Sequence, residues 1–254
     1  MKIISILNQK GGVGKTTTTI NLSAGLGLKG YKILIIDIDP QANATMSFNI
    51  SKDEIEADVF STFILKITSL KEAIKETYIK NVDIITANIN LVASESVLKK
   101  LDEDYKIFKP LEDLADNYDY IIFDCPPVLN ILNKNALIIS DSVLIPMQSE
   151  YFAFEGLTQL LSTISIIKRS QNRKLKVEGI LITMHLSNTI FNNEIQKEVK
   201  KYFPEKLYKT VIPRNIKLAE APSVGKTIFD YDASSKGAIK YWEFVEEFLN
   251  KQND

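Results

Sequence analysis

A β-branched run, Ile3-Ile4-Ser5-Ile6-Leu7, gives way to three closely spaced glycines, Gly11, Gly12 and Gly14, and a helical pattern opens at Lys15-Thr16-Thr17. Nothing else in the chain constrains its fold so tightly. Glycines let the backbone wrap so that successive N–H groups point inward at an anion. The helix that begins near Lys15 adds the positive end of its dipole. The spacing therefore predicts a phosphate cradle made of Lys10, Gly11, Gly12, Val13, Gly14, Lys15, Thr16 and Thr17. In such a loop Lys15 bridges the β- and γ-phosphates and the Thr16 hydroxyl ligates Mg²⁺. The general pattern G-x-x-x-x-G-K-[ST] is not strictly met, because Gln9 stands where its first glycine belongs and Lys10 opens the loop instead. Lys10 lies too far along the turn to repeat the job of Lys15. It can instead reach outward, to a phosphate held by a facing copy of the chain, or be a surface lysine beside the loop.

Around this loop, short apolar runs alternate with longer helical patterns. Ile3–Leu7, Lys32–Asp37, Val82–Thr86, Tyr120–Asp124, Ser142–Pro146, Val177–Met184 and Leu207–Ile212 read as strands. Several are apolar almost throughout, as strands covered on both faces of a parallel sheet should be. Thr16–Leu28, Ser69–Tyr78, Tyr105–Ala115, Gly156–Arg169, Asn193–Phe203 and Lys236–Asn250 read as helices. The alternation predicts an α/β fold of the P-loop NTPase type, a doubly wound, mostly parallel sheet with helices on both faces. No Pro/Gly-rich linker interrupts it, so a single domain over residues 1–254 is expected. The beat falters only over Asn43–Ser69.

Two acidic segments follow strands. Asp37-Ile38-Asp39-Pro40-Gln41 closes one, and a carboxylate just past a strand beside the phosphate loop can orient a water for in-line attack. The alternative is that either aspartate merely forms the turn before Pro40. Tyr120-Ile121-Ile122-Phe123-Asp124-Cys125-Pro126-Pro127 ends a second strand with an acid, which places Asp124 near Mg²⁺, through its water shell. The two prolines stiffen the loop beyond it.

At this point the motifs resemble a known family. K-G-G-V-G-K-T-T is similar to the deviant Walker-A box of the ParA/MinD ATPases, and D-P-Q-A-N-A-T and P-R-N-I-K-L-A-E-A-P look most like its ParA/Soj branch. The resemblance runs from Lys2 to Lys251. It implies ATP and Mg²⁺ as cofactors, and catalytic roles for Lys10, Lys15 and Asp39, with Asp39 on the attacking water and Asp37 as a supporting charge. Lys10 becomes the signature lysine that crosses the interface of an ATP-sandwich homodimer. The resemblance further implies that the Pro213-Arg214-Asn215 turn lines the adenine through Pro213 and Asn215, and that Glu150 contacts the nucleotide held opposite. Tyr151 and Phe152 sit in the same interface-like segment, although a buried apolar patch explains them equally well. Where family members often carry Asp and Arg, this chain has His185-Leu186-Ser187-Asn188, which leaves base recognition by that loop open; His185 reads as a loop residue. The implied activity is DNA partitioning: the ATP dimer binds DNA without sequence preference, and a ParB-type partner stimulates hydrolysis and release. An operator-binding domain ahead of Lys2 is not expected. A small-carboxylate ligase and a MinD-like or cargo-positioning adaptor remain as other classes.

Composition adds exclusions. One cysteine, Cys125, rules out an internal disulfide, a multi-thiolate zinc site and a nitrogenase-type shared cluster. No run approaches the ~20 apolar residues that span a bilayer, and no signal-like stretch opens the chain, so a cytoplasmic location, nucleoid-associated when ATP is bound, is expected. The Tyr241–Leu249 tail is apolar on one face and acidic on the other, which argues against anionic lipid and for core packing of Trp242 and Phe248. Net charge is −1, but from Lys168 onward 16 Lys/Arg face 11 Asp/Glu, against 15 and 21 before it. That basic tilt suits phosphate neutralisation on DNA, with Lys217, Lys226, Lys236 and Lys240 as candidate contacts.

Overall fold

The computed structural model describes every residue except 51–55, 101–105, 151–152, 187–189 and 254. Eight strands form one sheet: β1 (Lys2–Ile6), β2 (Ile33–Asp37), β3 (Ile74–Glu76), β4 (Val82–Ile85), β5 (Tyr120–Asp124), β6 (Ser142–Gln148), β7 (Lys176–His185) and β8 (Leu207–Pro213). Their order is β3-β4-β2-β5-β1-β6-β7-β8, parallel except for β3 at the edge. The expected doubly wound sheet is the one observed.

Side chains alternate across a strand, and here both destinations are apolar. Ile4, Ile6, Ile33, Ile35, Ile122 and Leu144 enter one core; Ile3, Leu34, Ile36, Ile121, Phe123, Val143 and Ile145 enter the other. That double burial is why these strands read as continuous apolar runs. The first core is closed by α1 (Lys15–Leu28) and by the long C-terminal helix Lys236–Asn253. A Cβ on Gly25 would come within 2.5 Å of Val245 Cγ2, so glycine is what lets these two helices lie in contact. The second core is closed by α2 (Ile131–Ile139), α3 (Ala153–Ser170) and α4 (Ile190–Tyr202), with the rings of Phe63, Phe108 and Phe123 meeting edge-on or tilted within it.

Several local expectations change. The helix expected over Ser69–Tyr78 stops at Ala73 after one capped turn, Leu70–Ala73, and Ile74–Glu76 becomes the antiparallel edge strand β3. The unpaired edge of β4 satisfies that backbone in a way local sequence cannot signal. Of Tyr105–Ala115, Tyr105 lies outside the described residues and the rest forms a 3₁₀ segment at Lys109–Leu114, which opens on Pro110. The irregular stretch after Pro40 holds a short helix at Asn43–Ser47 and a π-helical turn at Phe60–Ile64. α2 lies outside the expected helices, and its start is marked by Asn130, whose side chain accepts from the Asn133 amide. Phe248 is fully buried as expected, whereas Trp242 stays 36% exposed, edge-on to Phe229 with the Lys29 ammonium over its ring. Trp242 lies on the rim of the packed face, where its ring meets solvent. Among the described residues no helix is long and apolar enough to cross a membrane.

Candidate functional site

β1 runs between β5 and β6, and the chain leaves it through α1 towards β2 on one side, while β5 passes through α2 to β6 on the other. Its carboxyl end is thus the switch point where open α/β sheets bind ligands. The glycine loop sits there. Gly12 and Gly14 have φ of +75° and +82°, a region other residues enter at a cost. A Cβ added at Gly11 or Gly12 would meet nothing within 4 Å, so open space adjoins the loop at both positions. α1 begins at Lys15 without a side-chain cap, which leaves its first amides directed at whatever enters the loop. Lys15 is 7% exposed, and its Nζ donates to the Lys10 carbonyl at 3.2 Å. Burial lowers its pKa, opposed by the nearby charges of Asp124 and Asp39. An entering phosphate offers this ammonium a far stronger acceptor than a carbonyl.

Three side chains that the sequence did not single out hold the loop in shape. Thr183 Oγ1 donates to the Val13 carbonyl at 2.8 Å, and Gln148 Nε2 to the Gly12 carbonyl at 3.0 Å. Asn8 donates to the Pro146 carbonyl at 2.8 Å and accepts from the Lys10 amide at 3.0 Å. The available signal was positional: each is a polar residue at the carboxyl end of a strand that neighbours the loop.

The acids gather behind it. Asp124 is fully buried and accepts from Thr16 Oγ1 at 2.8 Å and Thr19 Oγ1 at 2.9 Å. A hydroxyl that gives its proton to a carboxylate keeps its lone pairs for a cation, so Thr16 with Asp124 behind it fits a Mg²⁺ ion that also draws on phosphate and water. Among the described residues no cluster of three His, Cys, Asp or Glu exists to hold a metal without such help. Asp37 pairs across the β2–β5 ladder with Asp124. It accepts from the Thr45 amide and hydroxyl at 2.9 and 2.8 Å and from the Asp39 amide at 3.1 Å. Burial raises the pKa of both carboxyls, and each has an acidic neighbour, Asp124 for Asp37 and Asp39 for Asp124, pushing the same way. Asp37 thereby builds the loop that presents Asp39. Asp39 is 8% exposed, takes the Gln41 amide on Oδ1 at 2.9 Å, and acts electrostatically on both Lys15 and Asp124. Cys125 is buried and its thiol pKa raised, which leaves it inert.

Beside the loop opens a cavity of about 500 Å³ lined by Gly14, Thr17, Met184, Pro213, Asn215 and Tyr241, among others. Its size and mixed lining suit a nucleoside, and Pro213 and Asn215 are both in its wall. Asn215 also caps the helix Ile216–Ser223 by accepting from the Lys217 amide at 2.8 Å. His185 is the last residue of β7 rather than a loop residue, because the parallel pairing continues to it: its carbonyl accepts from the Arg214 amide at 3.1 Å. On the loop's outer side, Lys10 forms an ion pair with Glu150. Tyr151, Phe152, Ser187 and Asn188 lie outside the described residues. Of the lysines considered for DNA, Lys217 pairs with Glu220 and Lys240 with Glu243, while Lys226 and Lys236 are exposed.

Known proteins are similar to this chain in sequence and in fold. Residues 1–177 match the family described as AAA domain. Over 97% of both chains the sequence is 47% identical to the sporulation initiation inhibitor protein Soj of Bacillus subtilis. It is 41% identical to the chromosome partitioning protein ParA of Myxococcus xanthus, over 98% of this chain and 88% of that one. Cobyrinic acid a,c-diamide synthase from Mycobacterium smegmatis, solved with bound ADP and magnesium, superposes with a TM-score of 0.86 at 30% identity, over 100% of this chain and 96% of that one. At this level of identity and coverage, the chain belongs to the Soj/ParA family of partitioning ATPases.

Proposed function

We propose that this chain is a DNA-partitioning ATPase, a single domain over residues 1–254, which binds DNA non-specifically as an ATP-bound homodimer and lets go when a ParB-type partner stimulates hydrolysis. The observation that carries this reading is the convergence of Lys15, the Thr16–Asp124 pair and Asp39 on one open phosphate loop, in a chain close to Soj.

ATP and Mg²⁺ are its cofactors. When bound, the metal neutralises phosphate charge and favours transfer of the γ-phosphoryl group to water. Lys10 to Thr17 hold the phosphates: the loop amides and Lys15 take their oxygens, and Thr16, backed by Asp124, takes the cation. Pro213 and Asn215 bound the base. Asp39 orients the attacking water, since its carboxylate is fixed by the Gln41 amide and lies within electrostatic reach of Lys15. Lys10, on the outer side of the loop, crosses to the facing protomer's nucleotide, and Glu150 lies in the same interface. The acceleration asked of these groups is positioning and electrostatics rather than covalent chemistry.

The deciding experiment titrates random duplex DNA with MgATP, with MgADP and without nucleotide, at several salt concentrations. Binding is expected with MgATP alone, because a dimer doubles the lysines presented. Affinity should fall by about 0.9 log units per log unit of salt for each phosphate neutralised. Charge reversal at Lys226 or Lys236 should weaken it. Equal binding in all three states would refute the partitioning reading and favour an adaptor that acts on a protein cargo.

A further inference from the structure

The contact between Lys10 and Glu150 has a consequence for when the dimer forms. Glu150 is not a loosely placed surface acid. Its own amide donates to the Gln148 carbonyl at 3.0 Å, and its carbonyl accepts from the Ala153 amide at 3.0 Å, so the backbone is fixed on both sides. The strand end that carries it is tied to the phosphate loop twice, through Gln148 to Gly12 and Asn8 to Pro146. Its carboxylate is thus presented to Lys10 by the loop's own scaffold, and the two side chains, 45% and 54% exposed, meet as an ion pair within one chain. A lysine so engaged must leave this partner before it can meet a second copy.

We propose that Glu150 is a positioning residue that holds Lys10 in cis, and that each protomer must break this pair before Lys10 can reach across to the other's nucleotide. The inference rests on the reading of Lys10 as the residue that crosses. The pair acts as a threshold. It subtracts the same factor from dimerisation whichever nucleotide is present, while the attraction Lys10 gains in trans grows with the charge of the phosphate chain it meets. The offset raises the protein concentration at which either form dimerises and leaves the ratio between the triphosphate and diphosphate forms unchanged. Because the pair is exposed, its strength is modest, about two- to fivefold on an equilibrium. Two such pairs break per dimer, which gives about 4- to 25-fold by the same figure.

The test is sedimentation of the full chain with a non-hydrolysable MgATP analogue and with MgADP, for the wild type, Glu150→Gln, Lys10→Ala and the double variant. Glu150→Gln keeps the shape of a half-exposed side chain and removes its charge. It should tighten the dimer by about 4- to 25-fold, by the same factor with either nucleotide. The gain should shrink as salt rises and screens the wild-type pair. In the Lys10→Ala background the same substitution should do nothing, since no ammonium remains to be held. A Glu150→Gln dimer that is weaker or unchanged, or a gain that persists without Lys10, overturns the cis-holding role. If Lys10→Ala alone still weakens the dimer, the crossing role of Lys10 stands despite that failure. An unweakened Lys10→Ala dimer overturns the crossing role itself, and the threshold with it.

Discussion

Replacing Thr183 by valine tests whether the phosphate loop is held in shape from outside its own motif. The two residues are nearly isosteric, so the change removes one hydroxyl and little volume. What is lost is the 2.8 Å hydrogen bond from Thr183 Oγ1 to the Val13 carbonyl. Val13 is 1% exposed and Thr183 2%, so the carbonyl cannot simply turn to water without moving the loop. A buried acceptor left unsatisfied costs about 1–3 kcal/mol. In the nucleotide-free protein the loop can relax and recover part of that loss. With phosphates seated, Gly12 and Gly14 must keep their left-handed conformations and the carbonyl must stay where it is. The penalty therefore falls on the bound state, and at about 1.4 kcal/mol per decade it weakens MgATP binding by roughly 5- to 150-fold. Calorimetric titration with the MgATP analogue measures it directly, and Thr183→Ser, which keeps the hydroxyl, should bind within a few-fold of wild type. If Thr183→Val binds within twofold of wild type while remaining folded, the tether is not what orders the loop.

Two further outcomes follow from the acids. Asp39→Ala should leave the ATP dimer intact and lower single-turnover hydrolysis by about 10²-fold or more, the range for a lost general-base or water-positioning group; rapid-quench turnover at the wild-type rate would show that the water is oriented by something else. Asp37 carries a carboxyl whose pKa is raised in the folded state, chiefly by burial and then by Asp124, so folding favours its protonated form. As pH rises above about 4, the ordinary aspartate value, the wild type loses stability from this group while Asp37→Asn does not. The variant starts less stable, because one amide oxygen cannot replace a carboxyl that accepts from Thr45 and from the Asp39 amide. The gap in urea-unfolding free energy should nonetheless narrow between pH 5 and pH 8, and a gap independent of pH would mean that Asp37 is not protonated in the fold.

How much of this was legible beforehand depended on how local the cause was. The phosphate loop could be read because its determinants are neighbours in sequence: glycines for positive φ, then a lysine and a threonine at a helix start. Strand positions were legible because burial on both faces makes them apolar throughout, and Asp37 and Asp124 because each closes such a run; Asp39 was singled out only through the family resemblance. β3 was not legible. Ile74–Glu76 continues a capped helical turn, and it becomes extended only because β4 would otherwise present an unpaired edge. Lys109–Leu114 and α2 were missed or misjudged for a similar reason, since their short apolar patterns fit more than one period until the second core selects among them.

The chain's own sequence therefore determined the fold class and the glycine-rich turn with a lysine and a threonine at a helix start, because those follow from backbone stereochemistry and from charge within a few positions of one another. Tertiary structure alone decided that Thr183, Gln148 and Asn8 hold the cradle, that Asp37 faces Asp124 across a strand ladder, and that Lys10 is engaged by Glu150. Each of those pairs joins carboxyl ends of different strands, and the order in which strands lie side by side is set by the packing of two cores over the whole chain rather than by any segment of it.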